Sequence, residues 1–202
     1  MPDSYKYLDL DYIYTDPKTG VLRNLADITE PDVLLFFESG AVAKRIQELY
    51  EKPVRIKGAD SLLSIHKHLF QDVYSWAGER RKVEISKAGK QFFPTTHFDN
   101  AFRFIDVLIS DYKNISKADR LLISQKLAEI LDSVNYLHPF REGNGRAQRE
   151  FLRLLAWEKG LTLNLNPPDN KNVYDQYMQG TINGDVKILT KLISELIKTS
   201  GK

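Results

Sequence analysis

The sequence predicts a mainly α-helical protein whose helices pack as a single domain. Apolar residues recur at intervals of three or four along most of the chain, the spacing of one face of an α-helix. One segment, residues 80–94, instead alternates apolar and polar side chains as a half-buried strand does. The 202 residues are 42% hydrophobic, which is enough for one well-formed core. We therefore expect residues 1–202 to form one helical bundle with a small β-hairpin.

Residues 1–29 are expected to form an arm ahead of the bundle. They are rich in tyrosine and aspartate, and Asp-Pro-Lys-Thr-Gly at positions 16–20 is typical of a turn. The first helix is signalled by Thr29, with Pro31 two positions on, and should continue to about Tyr50.

Two apolar stripes predict the second and third helices. Asp60 is expected to cap the second helix, which should end at Gly78. Thr96 should begin the third helix, which continues through Tyr112. The residues of the two stripes are Leu62, Leu63, Leu69, Val73 and Trp76, and then Phe98, Phe102, Ile105 and Ile109.

The fourth and fifth helices should flank the most polar loop of the chain. Ser116 is expected to open the fourth helix, which ends at Leu137, and the fifth helix should run from residue 146 onward. Their apolar stripes are Ile123, Leu127, Ile130, Leu131 and Val134, and then Phe151, Leu152, Leu154, Leu155 and Trp157. Because an apolar stripe of this kind faces the core, both helices should be buried. The loop between them is then held in place at both ends.

The remaining segments are shorter. Two further helices are expected at about 170–179 and 185–198, after the turn Asn-Pro-Pro-Asp at 166–169, with Gly184 and Asp185 as a turn and a helix cap. Within residues 80–94, Val83 and Ile85 alternate with polar neighbours, and Ala-Gly-Lys supplies a turn before Phe92 and Phe93. By pattern alone, a hairpin and a surface loop with some β character are about equally good interpretations.

Residues 138–149 read His-Pro-Phe-Arg-Glu-Gly-Asn-Gly-Arg-Ala-Gln-Arg, the inventory of a site that handles phosphate. Gly143 and Gly145 allow consecutive N–H groups to face an anion, and the helix that follows adds its own unpaired N–H groups. Arg146 and Arg149 lie in the first turn, where cations oppose the helix dipole, so something negative should compensate them. Each feature alone is ordinary, since Gly-Asn-Gly is usually a turn and Arg-x-x-Arg a solvated face, but their conjunction indicates a site.

Two further side chains give this segment its chemistry. Glu142 is a carboxylate beside a predicted polyphosphate site, where it could hold Mg²⁺. The imidazole of His138 has an ordinary pKa of about 6.5, so at neutral pH it can accept a proton from a hydroxyl.

These twelve residues match the Fic motif, HPFx[DE]GNGRxxR, at every position, so the chain resembles the Fic family. The resemblance implies a Fic-type helical bundle with a β-hairpin flap over the active site. It implies an enzyme that transfers AMP from ATP to a hydroxyl side chain of a target protein. The arm, with Tyr12, Tyr14, Gly20, Leu22 and Asn24, is similar to the lead-in of the cell-filamentation branch of that family.

The resemblance also implies a role for each residue of the motif. His138 resembles the general base, and Phe140 the apolar anchor of the loop. Glu142 resembles the Mg²⁺ ligand. The remaining implied ligands are Gly143, Asn144 and Gly145 as the anion nest, Arg146 near the β-phosphate and Arg149 near the γ-phosphate.

Outside the motif, the resemblance indicates the flap and the base pocket. Tyr74 to Glu79, the hairpin and Pro94 resemble the Fic segment that leads into the flap. The residues implied to clamp a target protein are Ile85, Lys87 and Phe92. Tyr177, together with Tyr174 and Asn183, belongs to the region that approaches the nucleotide base, although core packing is the more common role of a tyrosine.

Position 145 separates two reactions. The related Doc toxins transfer a terminal phosphate and carry lysine where this chain has Gly145, so the glycine favours nucleotidyl transfer. Transfer of UMP, GMP or a phosphoryl group, and a nucleotide-binding module whose catalysis has lapsed, are the alternatives.

Many Fic enzymes carry an inhibitory motif, [ST]xxxE[GN], whose glutamate pairs with the second arginine of the catalytic motif. This chain has no such motif, since its one Glu followed by Gly or Asn is Glu142 itself. We therefore expect a separate small antitoxin to supply a glutamate to Arg149.

Composition argues against several other classes of protein. The chain has no cysteine, which excludes disulfides and thiolate chemistry and is compatible with the cytoplasm. Its net charge is +2, from 29 basic and 27 acidic residues, too small to attract nucleic acid. Neither an export signal nor a run of about 18 apolar residues occurs, so no membrane association is expected, although delivery to another cell as an effector stays open. His66 and His68 lie two apart on a predicted helix, so we expect packing or surface roles rather than metal binding.

Overall fold

The computed structural model describes residues 5–7, 9–87, 89–165 and 170–199, and this part of the chain is mainly helical, as predicted. The helices are α1 (Pro31–Glu51), α2 (Ser61–Phe70), α3 (Phe98–Asn114), α4 (Arg120–Leu137), α5 (Asn144–Glu158), α6 (Lys171–Asn183) and α7 (Val186–Leu196). A short 3₁₀ turn, Thr95–His97, precedes α3. The predicted turn at 166–169 lies outside the described residues.

Helix α4 lies at the centre of the bundle and packs against α3, α5 and α7. All five residues of its predicted stripe are buried, because α4 meets neighbours on several sides. In α5 the stripe is likewise buried except for Trp157, whose predicted burial is wrong. Its side chain lies in the last turn of α5 and is 38% exposed. None of the described helices has the length and apolarity to cross a lipid bilayer.

The predicted hairpin is confirmed, with shorter strands. Strand β2 (Ile85–Lys87) pairs antiparallel with β3 (Lys90–Gln91). A strand that the sequence did not indicate, β1 (Tyr5–Tyr7), pairs with the other edge of β2 and gives the order β1-β2-β3. A second small sheet joins β4 (Leu161–Thr162) to β5 (Lys198–Thr199). Part of the N-terminal arm is thus built into the hairpin sheet.

Helix α2 ends at Phe70 and not at Gly78, so its predicted end is wrong. The carbonyl of Phe70 accepts hydrogen bonds from the N–H groups of both Val73 and Tyr74, at 2.9 Å each, which bends the chain into turns. Asp72 pairs with Arg45 on α1 at 2.7 Å. Tight turns therefore bury Val73, Tyr74 and Trp76 after Phe70, at a spacing that resembles the apolar stripe of a helix.

Two of the three predicted caps differ in the structure. Asp60 has helical φ and ψ of −63° and −17° and its carboxylate caps no N–H group, so it cannot act as an N-cap. Helix α4 is capped by Asp119, which accepts from the N–H of Leu122 at 3.0 Å, because the Ser116 hydroxyl is used in the preceding turn. The predicted cap at Asp185 is confirmed.

The caps provide a stability test. Asp185 accepts from the N–H groups of Lys187 and Ile188 at 2.9 and 3.0 Å. Asp185→Ala should lower the free energy of unfolding by about 1 kcal/mol, measured by chemical denaturation. Asp60→Ala is the matched control and should change it by less than about 0.5 kcal/mol. Equal losses in the two variants would contradict the assignment of the caps.

Candidate active site

The predicted catalytic loop, residues 138–143, begins where α4 ends. His138 adopts a left-handed conformation, with φ of 44° and ψ of 60°, and its N–H donates to the carbonyl of Val134 at 3.1 Å. This conformation is uncommon for a residue with a side chain, and it turns the chain sharply out of the helix. The imidazole is thereby brought into the interior, where His138 is 4% exposed.

The environment of His138 keeps its imidazole neutral. Burial lowers its pKa to about 3; the hydrogen bond to the carbonyl of Asn135 opposes this shift, and the charges of Arg81 and Lys87 add to it. The Nδ1 atom lies 3.1 Å from the oxygen of Asn135, which can only accept, so Nδ1 carries the hydrogen and Nε2 the lone pair. The ring of Phe92 stacks on the imidazole, with 3.8 Å between the centroids. His138 is therefore an oriented base at neutral pH.

The side chain of Asn144 closes the catalytic loop. Its Oδ1 accepts from the N–H of Phe140 at 3.0 Å, and its Nδ2 donates to the carbonyl of Phe140 at 2.8 Å. The Phe140 ring is completely buried and stacks on His66, with 3.7 Å between the centroids. Asn144 was predicted as part of the anion nest, but its side chain is used inside the loop, so its contribution to a nest is its backbone N–H.

His66 holds the catalytic loop in place through a hydrogen bond to its backbone. Its Nδ1 accepts from the N–H of Gly78 at 2.8 Å, so its Nε2 must carry the hydrogen that is donated to the carbonyl of Glu142 at 2.9 Å. Burial lowers its pKa to about 3. The expected packing role is confirmed, but the hydrogen bond to the loop had no sequence signal, because Glu142 is remote along the chain. Within the described ranges, no three His, Cys, Asp or Glu side chains are grouped as metal ligands.

The start of α5 has the geometry of an anion nest. Gly143 has φ of 79°, and a Cβ atom there would lie 2.2 Å from Cζ of Phe70, so only glycine fits. The N–H groups of Arg146 and Ala147 bond to the carbonyl of Gly143. Those of Asn144 and Gly145 precede these first bonds and point out of the helix N-terminus, where the dipole favours an anion.

The compensating charge of Arg146 comes from a residue that the sequence analysis missed. Nη1 of Arg146 lies 2.5 Å from Oε1 of Glu38 on α1, and Nη2 lies 3.5 Å from Oε1 of Glu142. Glu38 is 4% exposed and also accepts a hydrogen bond from the hydroxyl of Tyr74. The same Glu142 oxygen accepts from the N–H of Gly143 at 2.8 Å, so this carboxylate sits at the rim of the nest.

Arg149 stands beside a buried aromatic ring. Its guanidinium carbon lies 5.6 Å from the ring centroid of Tyr177, which is 2% exposed and accepts a hydrogen bond from Gln148. A Cβ atom on Gly145 would lie 3.1 Å from Nη1 of Arg149. A larger residue at position 145 would therefore displace this arginine.

A cavity of about 870 Å³ brings together part of the predicted site, but Glu142, Gly143, Asn144 and Arg146 do not line it. It lies between the hairpin, α3, α4, α6 and the start of α5, and its lining includes His138, Gly145, Arg149, Tyr177, Lys87 and Phe92. Ile85 was predicted to contact a target, but its side chain is 2% exposed because it faces the interior, so it holds the hairpin in place.

Arg81 is the second functional candidate that the sequence analysis missed. It is 2% exposed, and its Nε donates to the carbonyl of His138 at 2.9 Å. A buried arginine is unusual, but position 81 stands next to Arg80 in an alternating segment, and nothing in that pattern distinguishes the two.

The two buried histidines predict a dependence of stability on pH. Between pH 6.5 and 3 the unfolded chain binds protons that folded His66 and His138 do not, so the free energy of unfolding should fall as pH decreases. The slope should reach about 1.4 kcal/mol per pH unit for each histidine. Denaturation of His66→Gln between pH 6.5 and 5 should show a slope reduced by up to about this amount relative to wild type. An unchanged slope in His66→Gln would contradict the buried neutral imidazole.

Comparison with known proteins places the chain in a family. The model of the Fic/DOC family matches residues 57–156. Protein adenylyltransferase VbhT of Bartonella schoenbuchensis is 38% identical over 156 residues, which cover 77% of this chain but only 33% of VbhT. A probable protein adenylyltransferase Fic of Salmonella typhimurium is 31% identical over 156 residues, covering 75% of this chain and 74% of that protein.

A solved structure shares the fold. The crystal structure of BepC, a VirB-translocated effector protein of Bartonella tribocorum with bound AMPPNP, superposes with a TM-score of 0.81, and the match covers 94% of this chain and 98% of the chain in that structure. At 19% identity this likeness concerns the fold alone. The Salmonella relative, together with the matching family model, leads to one conclusion: the chain belongs to the Fic/DOC family.

Proposed function

We propose that this protein is a protein adenylyltransferase, which transfers AMP from ATP to a serine, threonine or tyrosine hydroxyl of a target protein and releases pyrophosphate. The observation that carries the proposal is the placement of a neutral, oriented histidine and a helix N-terminus in one cavity, at His138 and Gly145. The names of the two relatives, protein adenylyltransferase VbhT and probable protein adenylyltransferase Fic, and the AMPPNP bound to BepC support it.

In this mechanism His138 is the general base. Its Nε2 takes the proton of the target hydroxyl as the oxygen attacks the α-phosphorus in line. The bond to Asn135 holds the required tautomer, and the stacked ring of Phe92 limits rotation of the imidazole. The low pKa makes the imidazole a weak base but leaves it unprotonated throughout the physiological pH range.

The start of α5 receives the charge that develops on the phosphates. The N–H groups of Asn144 and Gly145 bind the transferred phosphate at the helix N-terminus. Arg146 and Arg149 stabilise the β- and γ-phosphates that leave as pyrophosphate. Tyr177 forms part of the cavity wall next to the nucleotide and supports Arg149.

Mg²⁺ is the metal that this site would hold. Mg²⁺ in nucleotide sites is usually bound by one or two carboxylates together with the phosphates, and Glu142 is a partly exposed carboxylate at the rim of the nest. When bound, the ion neutralises charge on the polyphosphate. Gly143 orients the Glu142 carboxylate through its N–H.

The hairpin is the proposed docking site of the target. Lys87 and Phe92 line the cavity beside His138, so residues of the flap can hold the target chain while its hydroxyl approaches Nε2. With Ile85 facing the interior, Lys87 and Phe92 are the side chains that we assign to target contact.

Labelled ATP tests the reaction. Wild-type protein with α-labelled ATP and Mg²⁺ in lysate should label a target protein, and γ-labelled ATP should not. His138→Ala should reduce the labelling rate by 10²- to 10⁴-fold, about the contribution of a general base. His97→Ala, an exposed histidine outside the cavity, should label at the wild-type rate.

Transfer of label from the γ position alone would refute nucleotidyl transfer and favour a kinase-like reaction. The same assay with UTP and GTP identifies the nucleotide. Gly145 supports nucleotidyl transfer here, because even the Cβ atom of a lysine at this position would lie 3.1 Å from Nη1 of Arg149.

We further propose that a small antitoxin inhibits the enzyme by presenting a glutamate to Arg149. A second cavity of about 340 Å³ lies between α1, α5 and residues 163–165. One wall carries Arg146, Arg149 and Arg153, which share a face of α5, and Glu150, which pairs with Arg153 at 2.8 Å; the α1 wall is largely apolar. Such a groove fits an amphipathic helix with acidic residues on one side.

The antitoxin can be sought by purification from the native cell. A small protein should co-purify with the wild-type enzyme, and Arg149→Glu should lose it because the charge is reversed. Arg103→Glu, an exposed arginine on α3, is the matched control and should retain the partner. Full activity of the native protein without a bound partner would contradict the proposal.

We also propose that residues 1–202 form one domain that acts in a cytoplasm. The absence of cysteine from the sequence is compatible with a reducing compartment. The description of BepC as a translocated effector is a precedent for action in a recipient cell.

A further inference from the structure

Arg81 joins the hairpin to the catalytic loop through backbone carbonyls. Its Nε donates to His138 at 2.9 Å, its Nη1 to Val83 at 2.6 Å and its Nη2 to Phe93 at 2.5 Å. Val83 precedes β2 and Phe93 follows β3, so one guanidinium binds the backbone at both ends of the hairpin. In addition, the backbone N–H of Arg81 donates to the carbonyl of Pro139 at 2.7 Å.

The positive charge of Arg81 is balanced by Glu84, the residue that precedes β2. Oε2 of Glu84 lies 3.2 Å from Nη1 of Arg81. Oε1 of Glu84 in turn accepts from the N–H and the hydroxyl of Thr95, at 2.9 and 2.6 Å. The ring of Phe98 lies 4.9 Å from the guanidinium carbon. These contacts leave the arginine one rigid position between the loop and the hairpin.

We propose that Arg81 is a positioning residue that sets His138 and the hairpin in one fixed relation. The arrangement matters because His138 has the left-handed backbone conformation, which costs free energy and must be held by its surroundings. Phe92 stacks on the imidazole of His138 and is adjacent to Phe93 in sequence. A shift of the hairpin would therefore also move the imidazole. The proposal rests on the proposed role of His138 as general base.

The positioning role of Arg81 requires a planar group with several N–H donors in fixed directions. Guanidinium has five N–H donors in fixed directions, whereas the ammonium of lysine is a compact group on a flexible stem. Arg81→Lys keeps a positive charge but cannot span His138, Val83 and Phe93 together. It therefore separates the loss of geometry from the loss of charge.

The experiment compares Arg81→Lys with Arg80→Lys. Arg80 is the adjacent arginine, half-buried at the surface, where it pairs with Asp99 at 2.6 Å. Displacement of a catalytic group by about 1 Å can cost 10²-fold, so Arg81→Lys should lower kcat for target labelling by about that factor. The Kd for ATP should stay within about threefold of wild type, because the nest and the arginines at α5 are untouched. Arg80→Lys should retain the wild-type kcat.

A pH profile adds a readout that a purely structural role would not move. Burial is the main cause of the lowered pKa of His138, and the charges of Arg81 and Lys87 lower it further. Arg81→Met removes one of them, so the acidic limb of its pH–rate profile should move to higher pH, while Arg80→Met should leave the limb in place. If the variants at position 81 do not fold, Glu84→Gln is the alternative. It keeps Arg81 but weakens the ion pair that orients the guanidinium. This variant should lower kcat by about three- to tenfold.

A folded Arg81→Lys with the wild-type kcat, or an unshifted profile in Arg81→Met, would overturn the proposal. Full activity of Glu84→Gln, where this variant is needed, would do the same. Failure of the proposed function looks different, since wild-type protein would then transfer no α-label at all. Labelling by the wild type with no loss in Arg81→Lys would count against the positioning role alone.

Discussion

The site depends on one closure, the pair of hydrogen bonds between the side chain of Asn144 and the backbone of Phe140. It fastens the end of the loop to its beginning, so α5 starts at a fixed point relative to the end of α4. Phe140 then stacks on His66, which holds the carbonyl of Glu142 and the N–H of Gly78. A loop with this many internal contacts loses little further entropy when an anion binds, which is the physical meaning of preorganisation.

Charge is distributed unevenly around the same loop. Arg146 is paired with Glu38 and Glu142, so its guanidinium is oriented before any nucleotide arrives. Arg149 lines both cavities and rests against Tyr177. The two arginines of the motif therefore differ in environment although they lie three residues apart on one helix. Arg149 is the point at which the cavity beside His138 and the groove beside α1 meet.

The elements that the sequence predicted are those whose signals are local. The stripe of α4 is buried as expected, because a wide apolar face on a helix has to be covered. The end of α2 and the caps at Asp60 and Ser116 were wrong, because turns after Phe70 imitate a helical spacing and Asp119 competes for the cap of α4. Trp157 lies in the last turn of α5, where an apolar residue can stay partly exposed.

By itself, the sequence determined that the protein is mainly helical and predicted a phosphate site at residues 138–149, because the twelve residues are contiguous and their chemistry does not depend on the fold. Only the tertiary structure decided which groups serve that segment. Glu38, His66 and Arg81 lie far from the motif in sequence and act through contacts with single atoms of it. These residues reach the motif through the packing of the helices. A contact between residues far apart in sequence produces no periodic pattern in a single sequence, so it could not be predicted.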